Sequence, residues 1–135
     1  MASRAKQAEK TSAHERPREV HLVPPGASII VRGGFYDGLE ISIDRDWLAI
    51  GRGRSAVIVF AEPTISRSHA AIGYDREGFF VQDLGSTNGT TVNGAKAQRM
   101  PLKDRDLIAM GKLGFGVTLP RSGSDGNAGG GRKKS

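Results

Sequence analysis

Three short polar segments hold most of the side chains that could bind or transform a ligand. They are Gly-Arg-Gly-Arg-Ser at 51–55, Thr-Ile-Ser-Arg-Ser-His-Ala at 64–70, and Asp-Leu-Gly-Ser-Thr-Asn-Gly-Thr at 83–90. Together they offer guanidinium, hydroxyl and amide groups between glycines that leave the backbone open. Such donors suit an oxyanion, phosphate above all, or the main chain of a peptide. The sequence therefore points to anion or peptide binding at these segments.

Nucleophilic catalysis by the same segments is disfavoured. Ser66, His69 and Asp83 are the residue types of a hydrolase triad, but no Gly-x-Ser-x-Gly elbow is present in the sequence. No strand-to-helix turn is predicted that would hold a strained nucleophile. His69 precedes an apolar run, so we expect it to order neighbouring backbone by hydrogen bonds rather than transfer protons. We predict that the chain is not an enzyme.

Composition narrows the other classes of function. The 135 residues include no Cys, which excludes disulfides, thiolate zinc sites and cysteine nucleophiles. His14 and His21 share no ligand spacing with other residues, so we predict no metal site and no cofactor. No apolar run approaches the ~20 residues needed to span a membrane, and the N-terminus lacks the apolar core of a signal peptide. We expect a cytoplasmic protein with no membrane partner.

The positive charge is concentrated at the two ends of the chain. Of the formal net charge of +6, residues 1–25 carry +2, residues 121–135 carry +3, and the long middle carries only +1. Nucleic-acid binding by the basic ends is an alternative function. Against it, the middle is nearly neutral and the chain offers one Trp and two Tyr for base stacking. We therefore expect phosphoprotein partners rather than nucleic acid.

Short apolar runs separated by turn residues predict an all-β domain. No window keeps the helical apolar spacing over three turns, and the runs are too short for buried helices. This pattern is typical of an antiparallel β-sandwich or barrel. The Asn93-Gly94 pair predicts a two-residue hairpin turn, and Asn88 before Gly89 is also expected to tolerate φ > 0. The predicted strands are Ile29–Val31, Leu39–Ile43, Trp47–Ile50, Val57–Phe60, Phe79–Gln82, Thr91-Val92, Asp106–Met110 and Phe115–Leu119.

Composition also divides the chain into a domain and two tails. Residues 1–25 are polar and end in Pro24-Pro25, and residues 121–135 are rich in Gly, Ser and basic residues. Neither segment can bury enough apolar surface to offset the entropy of ordering it. We predict disordered tails at 1–25 and 121–135 and one folded domain at 26–120.

Taken in order, the polar segments resemble the forkhead-associated (FHA) domain. The resemblance covers about residues 28–119. Its matching pieces are Gly51-Arg52, Ser66-Arg67-Ser68-His69-Ala70, Asp83 to Thr90, Val92-Asn93-Gly94, Leu102, Asp106-Leu107-Ile108 and Gly111. The resemblance implies a β-sandwich of about eleven strands that binds phosphothreonine peptides through loops at one end. It implies a signalling adaptor or regulator, without enzymatic activity, downstream of a Ser/Thr kinase.

The resemblance also assigns roles at the phosphate. Arg52 and Ser66 would contact it, and Arg67 occupies a position that often assists. Thr87 would contact the phosphate or the adjacent peptide. A phosphothreonine carries about −1.5 to −2 charge and three strong acceptor oxygens, which agrees with these donors.

The remaining roles concern the peptide main chain and the shape of the loops. Asn88 would hold the peptide main chain, since its amide both donates and accepts. Gly51, His69 and Gly89 would keep the loops in shape.

Two positions depart from the family pattern. Val57 stands where an Asp is usual, and Arg105 replaces the usual Gly before Asp106. If Arg105 must adopt φ > 0, it costs roughly 1–2 kcal/mol. These departures bear on stability and loop detail more than on binding.

Thr11, in the N-terminal tail, suggests a form of regulation. Some small bacterial proteins of this family carry a threonine ahead of a lone domain, and once phosphorylated it folds back into the domain's own site. Thr11 follows the charged pair Glu9-Lys10, although the paired threonines of those proteins are missing. We hypothesise that phosphorylated Thr11 binds in cis.

Overall fold

The computed structural model describes residues 21–120, which form eleven strands and no helix. The all-β prediction and the implied strand number are confirmed. The strands are β1 (Ser28–Arg32), β2 (Glu40–Ser42), β3 (Trp47–Gly51), β4 (Ile58–Val59), β5 (Ala70–Asp75), β6 (Gly78–Asp83), β7 (Thr90–Val92), β8 (Ala95–Lys96), β9 (Arg99–Pro101), β10 (Leu107–Met110) and β11 (Leu113–Thr118).

The strands form two sheets. One has six strands in the order β2-β1-β11-β10-β7-β8, and the other has five in the order β4-β3-β5-β6-β9. Because side chains alternate across a strand, one row of each strand faces the core. On the five-stranded sheet, Ala71 and Phe80 of the opposite row are buried as well. On β3, Leu48 and Ile50 are buried, and they share the core with Ile72 of β5 and Phe115 of β11. Burial of each such side chain contributes about 1.5–3 kcal/mol.

β4 differs from the predicted antiparallel pairing. It runs parallel to β3, with Ile50 beside Ile58 and Gly51 beside Val59. The next residue, Phe60, is fully buried, and its ring centroid lies 5.6 Å from that of Phe115. Burial of Phe60 therefore fixes the direction of this short edge strand, a long-range effect that its local pattern does not encode.

The structure also bears on the predicted Asn93-Gly94 turn and on the two positions that depart from the family pattern. Asn93 has φ 51° and Gly94 has φ 86°, so the predicted hairpin turn between β7 and β8 is confirmed. Arg105 has φ 75°, the left-handed conformation that costs a non-glycine residue energy. Val57 is exposed at the sheet edge, so its departure from the family pattern loses no buried contact.

The chain before β1 packs against the domain earlier than the predicted boundary at residue 26. The backbone N–H of His21 donates to a carboxylate oxygen of Asp46 at 2.9 Å, and Val23 packs against the core. Both contacts lie within the segment 21–25 that was expected to be disordered, where Val23 packs against the core while Leu22 stays exposed. The rest of the predicted tails, Thr11 included, falls outside the described residues.

Candidate functional site

Three loops meet at one end of the sandwich because of the strand pairing. β3 and β5 are antiparallel, as are β5 and β6, so Ile50, Ala70 and Asp83 lie side by side across the sheet. The chain leaves β3, enters β5 and leaves β6 at this same end. The segments 52–57, 60–69 and 84–89 are therefore neighbours. We call them the first, second and third loops, and they contain most of the three polar motifs.

Arg52 is braced by the backbone of the second loop. Its N–H donates to the Ser66 carbonyl at 3.0 Å, and its side-chain Nε donates to the Ile65 carbonyl at 2.8 Å. The side-chain bond uses one of the five guanidinium N–H groups, and the two terminal nitrogens carry the other four. A fork held in this way is suited to two parallel bonds with an oxyanion.

Close approach of the first two loops explains Gly51. A Cβ at this position would overlap the carbonyl of Arg67. The neighbouring N–H of Gly53 donates to that same carbonyl at 3.1 Å, which keeps the loops together. The requirement here is for space, since Gly51 is not among the residues with positive φ.

His69 ties the second loop to the third. The side chain is fully buried, and its Nδ1 accepts the N–H of Ser66 at 3.0 Å. Because Nδ1 accepts, Nε2 carries the proton and donates to the Gly89 carbonyl, 2.9 Å away. Both ring nitrogens are thus engaged with backbone. Gly89 itself has φ 84°, a conformation that glycine adopts without strain.

Ser66, Thr87 and Asn88 form the junction between the second and third loops. The Ser66 hydroxyl accepts the N–H of Thr87 at 2.9 Å, and the Asn88 amide donates to the Thr64 carbonyl at 2.8 Å. This bond engages the amide nitrogen of Asn88, and the amide oxygen is the acceptor of the same side chain. Asn88 does not occupy φ > 0, because only Asn93 and Arg105 among the described non-glycine residues do.

Asp83 organises the third loop, a role that the sequence interpretation did not assign. One carboxylate oxygen accepts the N–H groups of Gly85 and Ser86 at 2.9 and 3.0 Å. The other accepts the hydroxyls of Ser86 and Thr90 at 2.6 and 2.7 Å. Burial raises the pKa of Asp83, but these hydrogen bonds outweigh it and hold the pKa below its ordinary value. The sequence does carry a signal for this role. An Asp side chain commonly accepts the backbone N–H groups two and three residues further along, here those of Gly85 and Ser86, which is the pattern of an Asx turn.

The outer surface of the site is cationic and rich in hydroxyls. Arg54 and Arg67 are exposed beside Arg52, and the hydroxyls of Ser55 and Ser68 lie 3.2 Å apart. Glu62 is the one acidic residue in the segments 52–57, 60–69 and 84–89. Hydrogen bonds from Thr64 lower the pKa of Glu62, and so does nearby Lys112. The loops thus favour an anionic ligand. Among residues 21–120, no cluster of His, Asp or Glu could hold a metal ion.

A two-sheet β-sandwich with a braced arginine and hydroxyl-rich loops at one end defines a small recognition module for an anionic partner. The model of the FHA domain family matches residues 48–111. The chain belongs to the FHA domain family.

Two kinds of relatives support the assignment. The glycogen accumulation regulator GarA of Mycobacterium tuberculosis is 33% identical over 115 residues, which is 83% of this chain and 70% of GarA. The oxoglutarate dehydrogenase inhibitor of Corynebacterium jeikeium is 32% identical over 110 residues, covering 80% of this chain and 76% of that protein.

Solved structures agree on the fold. A structure from a study of phosphothreonine-dependent FHA domain interactions is 32% identical, with a TM-score of 0.63, and covers 70% of this chain and 96% of its own. The FhaA FHA domain, solved with the intracellular domain of another protein, is 33% identical with a TM-score of 0.62. That alignment covers 68% of this chain and 99% of the FhaA chain.

No helix within residues 21–120 has the length and apolar character needed to cross a membrane.

Proposed function

We propose that this protein binds phosphothreonine peptides at its three end loops and acts as a non-enzymatic regulator downstream of a Ser/Thr kinase. The observation that carries the proposal is the braced Arg52 fork beside the Ser66 hydroxyl, on loops that also hold Arg67 and Thr87. Their donors match a phosphate dianion in charge and hydrogen bonding. In this proposal Ser66 and Thr87 face the phosphate with Arg52, and Arg67 assists.

Asn88 holds the main chain of the peptide. Its amide nitrogen is fixed on Thr64, so its oxygen is oriented to accept a peptide N–H. Gly51, His69 and Gly89 act on the shape of the loops and make no contact with the ligand. The main-chain contact contributes affinity for phosphorylated and unphosphorylated peptides alike. The phosphate contacts distinguish the phosphorylated peptide from the unphosphorylated one.

The hydrogen bonds of His69 fit a regulatory rather than a catalytic role. Both ring nitrogens of His69 are bonded to backbone in a buried position, so the residue offers no free base to a substrate. The similar proteins are named as a regulator and as an inhibitor of oxoglutarate dehydrogenase. A cytoplasmic location belongs to the same proposal. Nucleic-acid binding by the basic tails gains no support from the end loops.

The test is calorimetry with matched phosphothreonine, phosphoserine and threonine peptides. We expect the phosphothreonine form to bind most tightly, and Arg52→Ala to remove most of that binding. Loss of one partner from a buried charged pair costs roughly 2–5 kcal/mol, on the order of 30- to 3000-fold in affinity. Arg45→Ala is the matched control, because Arg45 is an exposed arginine paired with its neighbour Asp44, away from the end loops.

Because the Arg52 side chain also donates to the Ile65 carbonyl, circular dichroism must show that Arg52→Ala is folded. Arg52→Lys is the second variant, which keeps the charge but lacks the fork, and we expect intermediate affinity. Wild-type affinity in a folded Arg52→Ala protein would refute the proposal.

A further inference from the structure

The tip of the first loop presents a serine between arginine side chains. Ser55 is exposed, and its hydroxyl lies 3.2 Å from that of Ser68 on the second loop. Arg52 stands three residues before Ser55 and Arg54 one residue before it, and the first loop contains no acidic residue. The Ser55 hydroxyl is therefore accessible and is flanked by positive charge.

We propose that Ser55 is a phosphorylation site for an arginine-directed Ser/Thr kinase, and that its phosphate closes the end loops to phosphothreonine peptides. The inference rests on the proposed function and adds a way to switch it off. In the reaction, the Ser55 hydroxyl oxygen forms a bond to the γ-phosphorus of ATP, and the bond from that phosphorus to the bridging oxygen of the β-phosphate breaks. ADP leaves, and the hydroxyl proton passes to the base of the kinase.

Ser55 differs from the serines that shape the loops. The hydroxyls of Ser66 and Ser86 each accept a backbone N–H of the third loop, so they are engaged in holding the site together. The Ser55 hydroxyl instead meets the hydroxyl of Ser68. Of this pair, Ser55 has arginine three residues ahead, whereas Ser68 has Ile65 there. Kinases select their substrates by such charge patterns, which favours Ser55.

The backbone of the loop tip is held by few hydrogen bonds. The N–H of Ala56 donates to the Gly53 carbonyl at 3.2 Å, and this bond closes the turn around Ser55. In the part of the chain that the structure describes, the N–H groups of Arg54 and Ser55 donate to no backbone carbonyl. A single long hydrogen bond therefore has to break before the tip can extend into the cleft of a kinase.

A phosphate on Ser55 would meet cations that are already in place. It carries about −1.5 to −2 charge and three strong acceptor oxygens. Arg54 is its neighbour, and the Arg67 side chain begins beside the same loop, because a Cβ on Gly53 would lie 3.0 Å from the Arg67 Cβ. Since the phosphate is tethered, it meets these arginines at a high effective concentration. Arg67 is then paired with the protein's own phosphate rather than with that of a peptide.

The tethered phosphate also repels an incoming phosphothreonine. Ser55 lies in a tight turn that directly follows Arg52, so the two phosphates would stand about 8 Å apart. This separation is about one Debye length at physiological salt, which leaves roughly a third of the repulsion unscreened. Together with the loss of Arg67 as a donor, this repulsion should weaken peptide binding by about tenfold.

The first test compares the full chain with and without phosphate on Ser55, installed during synthesis as phosphoserine. Calorimetry with a phosphothreonine peptide that the wild type binds should show about tenfold weaker binding, and a smaller difference at high salt. Phosphorylated Ser42 is the matched control, because Ser42 is exposed and ends β2 shortly before β3 begins at the end opposite the three loops. The same added charge should leave the affinity unchanged there. The side-chain NMR resonances of Arg54 and Arg67 should shift with phosphate on Ser55 and not with phosphate on Ser42.

The second test determines whether Ser55 is a kinase substrate. The full chain is incubated with ATP and the catalytic subunit of a cyclic-AMP-dependent protein kinase, an arginine-directed enzyme, and the products are mapped by mass spectrometry. We expect phosphate on Ser55, with slower transfer in Arg54→Ala. Ser68→Ala distinguishes the two neighbouring hydroxyls, because it should leave the modification of Ser55 unchanged.

Wild-type affinity in the protein phosphorylated at Ser55, or an equal loss in the protein phosphorylated at Ser42, would overturn the inference while phosphopeptide binding stands. Phosphate transfer that passes over Ser55 would overturn it as well. If no phosphothreonine peptide binds the wild type, the proposed function fails and the switch fails with it.

Discussion

Replacing Asp83 by Asn should loosen the third loop without changing the size of the side chain. The carboxylate accepts two N–H groups on one oxygen and two hydroxyls on the other. An asparagine keeps one acceptor oxygen and puts an NH₂ group in place of the other. The hydroxyls of Ser86 and Thr90 can rotate toward a new partner, but the N–H groups of Gly85 and Ser86 are fixed by the backbone.

The cost follows from the loss of charge on the acceptor. The asparagine oxygen can face the two N–H groups while its NH₂ donates to the rotated hydroxyls, so the two backbone bonds persist as neutral hydrogen bonds. A hydrogen bond to a charged group contributes about 1.5–3 kcal/mol, and a neutral one about 0.5–1.5 kcal/mol. We therefore expect Asp83→Asn to lower the free energy of unfolding by about 2–3 kcal/mol, a large part of the 5–15 kcal/mol that is typical of a domain.

Urea denaturation measures this change. Asp104→Asn is the matched control, because Asp104 is a more exposed acid whose side chain accepts one backbone N–H, that of Leu119. We expect the control to stay within about 1 kcal/mol of the wild type. An Asp83→Asn protein as stable as the control would show that the carboxylate does not organise the loop.

The pH dependence of the same pair of proteins gives an independent check. The pKa of Asp83 is lowered by folding, from an unfolded value near 3.8. The stability that ionised Asp83 contributes is therefore fully present above about pH 4 and is lost as the pH falls through the lower, folded pKa. The difference between the wild type and Asp83→Asn should be constant from pH 7 to about 4 and narrow below that. If the difference in free energy of unfolding between the two proteins narrows between pH 7 and 5, the conclusion that folding lowers the pKa of Asp83 is wrong.

Three further predictions concern binding, stability and regulation. Asn88→Ala should weaken phosphorylated and unphosphorylated peptides by the same factor in calorimetry, and a selective loss for the phosphorylated form would mean that Asn88 reads the phosphate. Arg105→Gly should raise the free energy of unfolding in urea by about 1 kcal/mol, because glycine relieves the positive φ but gains entropy when unfolded; unchanged stability would mean that the conformation carries no strain. Phosphorylation of Thr11 should lower the affinity for a phosphothreonine peptide and shift the amide resonances of Arg52 and Ser66. Unchanged resonances would exclude binding in cis.

The Thr11 prediction is consistent with the reach of the chain. His21 is held at the start of β3, the end opposite the three loops, and β3 spans roughly 15 Å. The ten residues from Thr11 to His21 can extend to about 33–36 Å. A tether of this length gives a high local concentration, so even a weak site would be occupied.

Local chemistry explains what could be predicted from the sequence. The Asn93-Gly94 turn depends on the backbone preferences of two residues, so a short segment suffices. The left-handed Arg105 goes against the preference of its own residue type, and only the resemblance to a family with Gly at that position raised it. Trp47 to Ile50 is apolar throughout, so the sequence identified a strand there but not which of its two rows is buried. The direction of β4 was not predictable in this way, because it depends on the burial of Phe60 against Phe115, 55 positions away.

In the site, too, some residues could be predicted from the sequence and others could not. Arg52 and Ser66 could be singled out because their chemistry suits a ligand, whereas the group that fixes the third loop, Asp83, forms its bonds within the protein. His69 belongs with Asp83: one buried imidazole joins the second loop to the third, and one carboxylate folds the third loop onto itself. Neither group needs to touch a peptide to determine where Thr87 and Asn88 stand. Variants of the two buried residues should therefore lower affinity for every peptide alike.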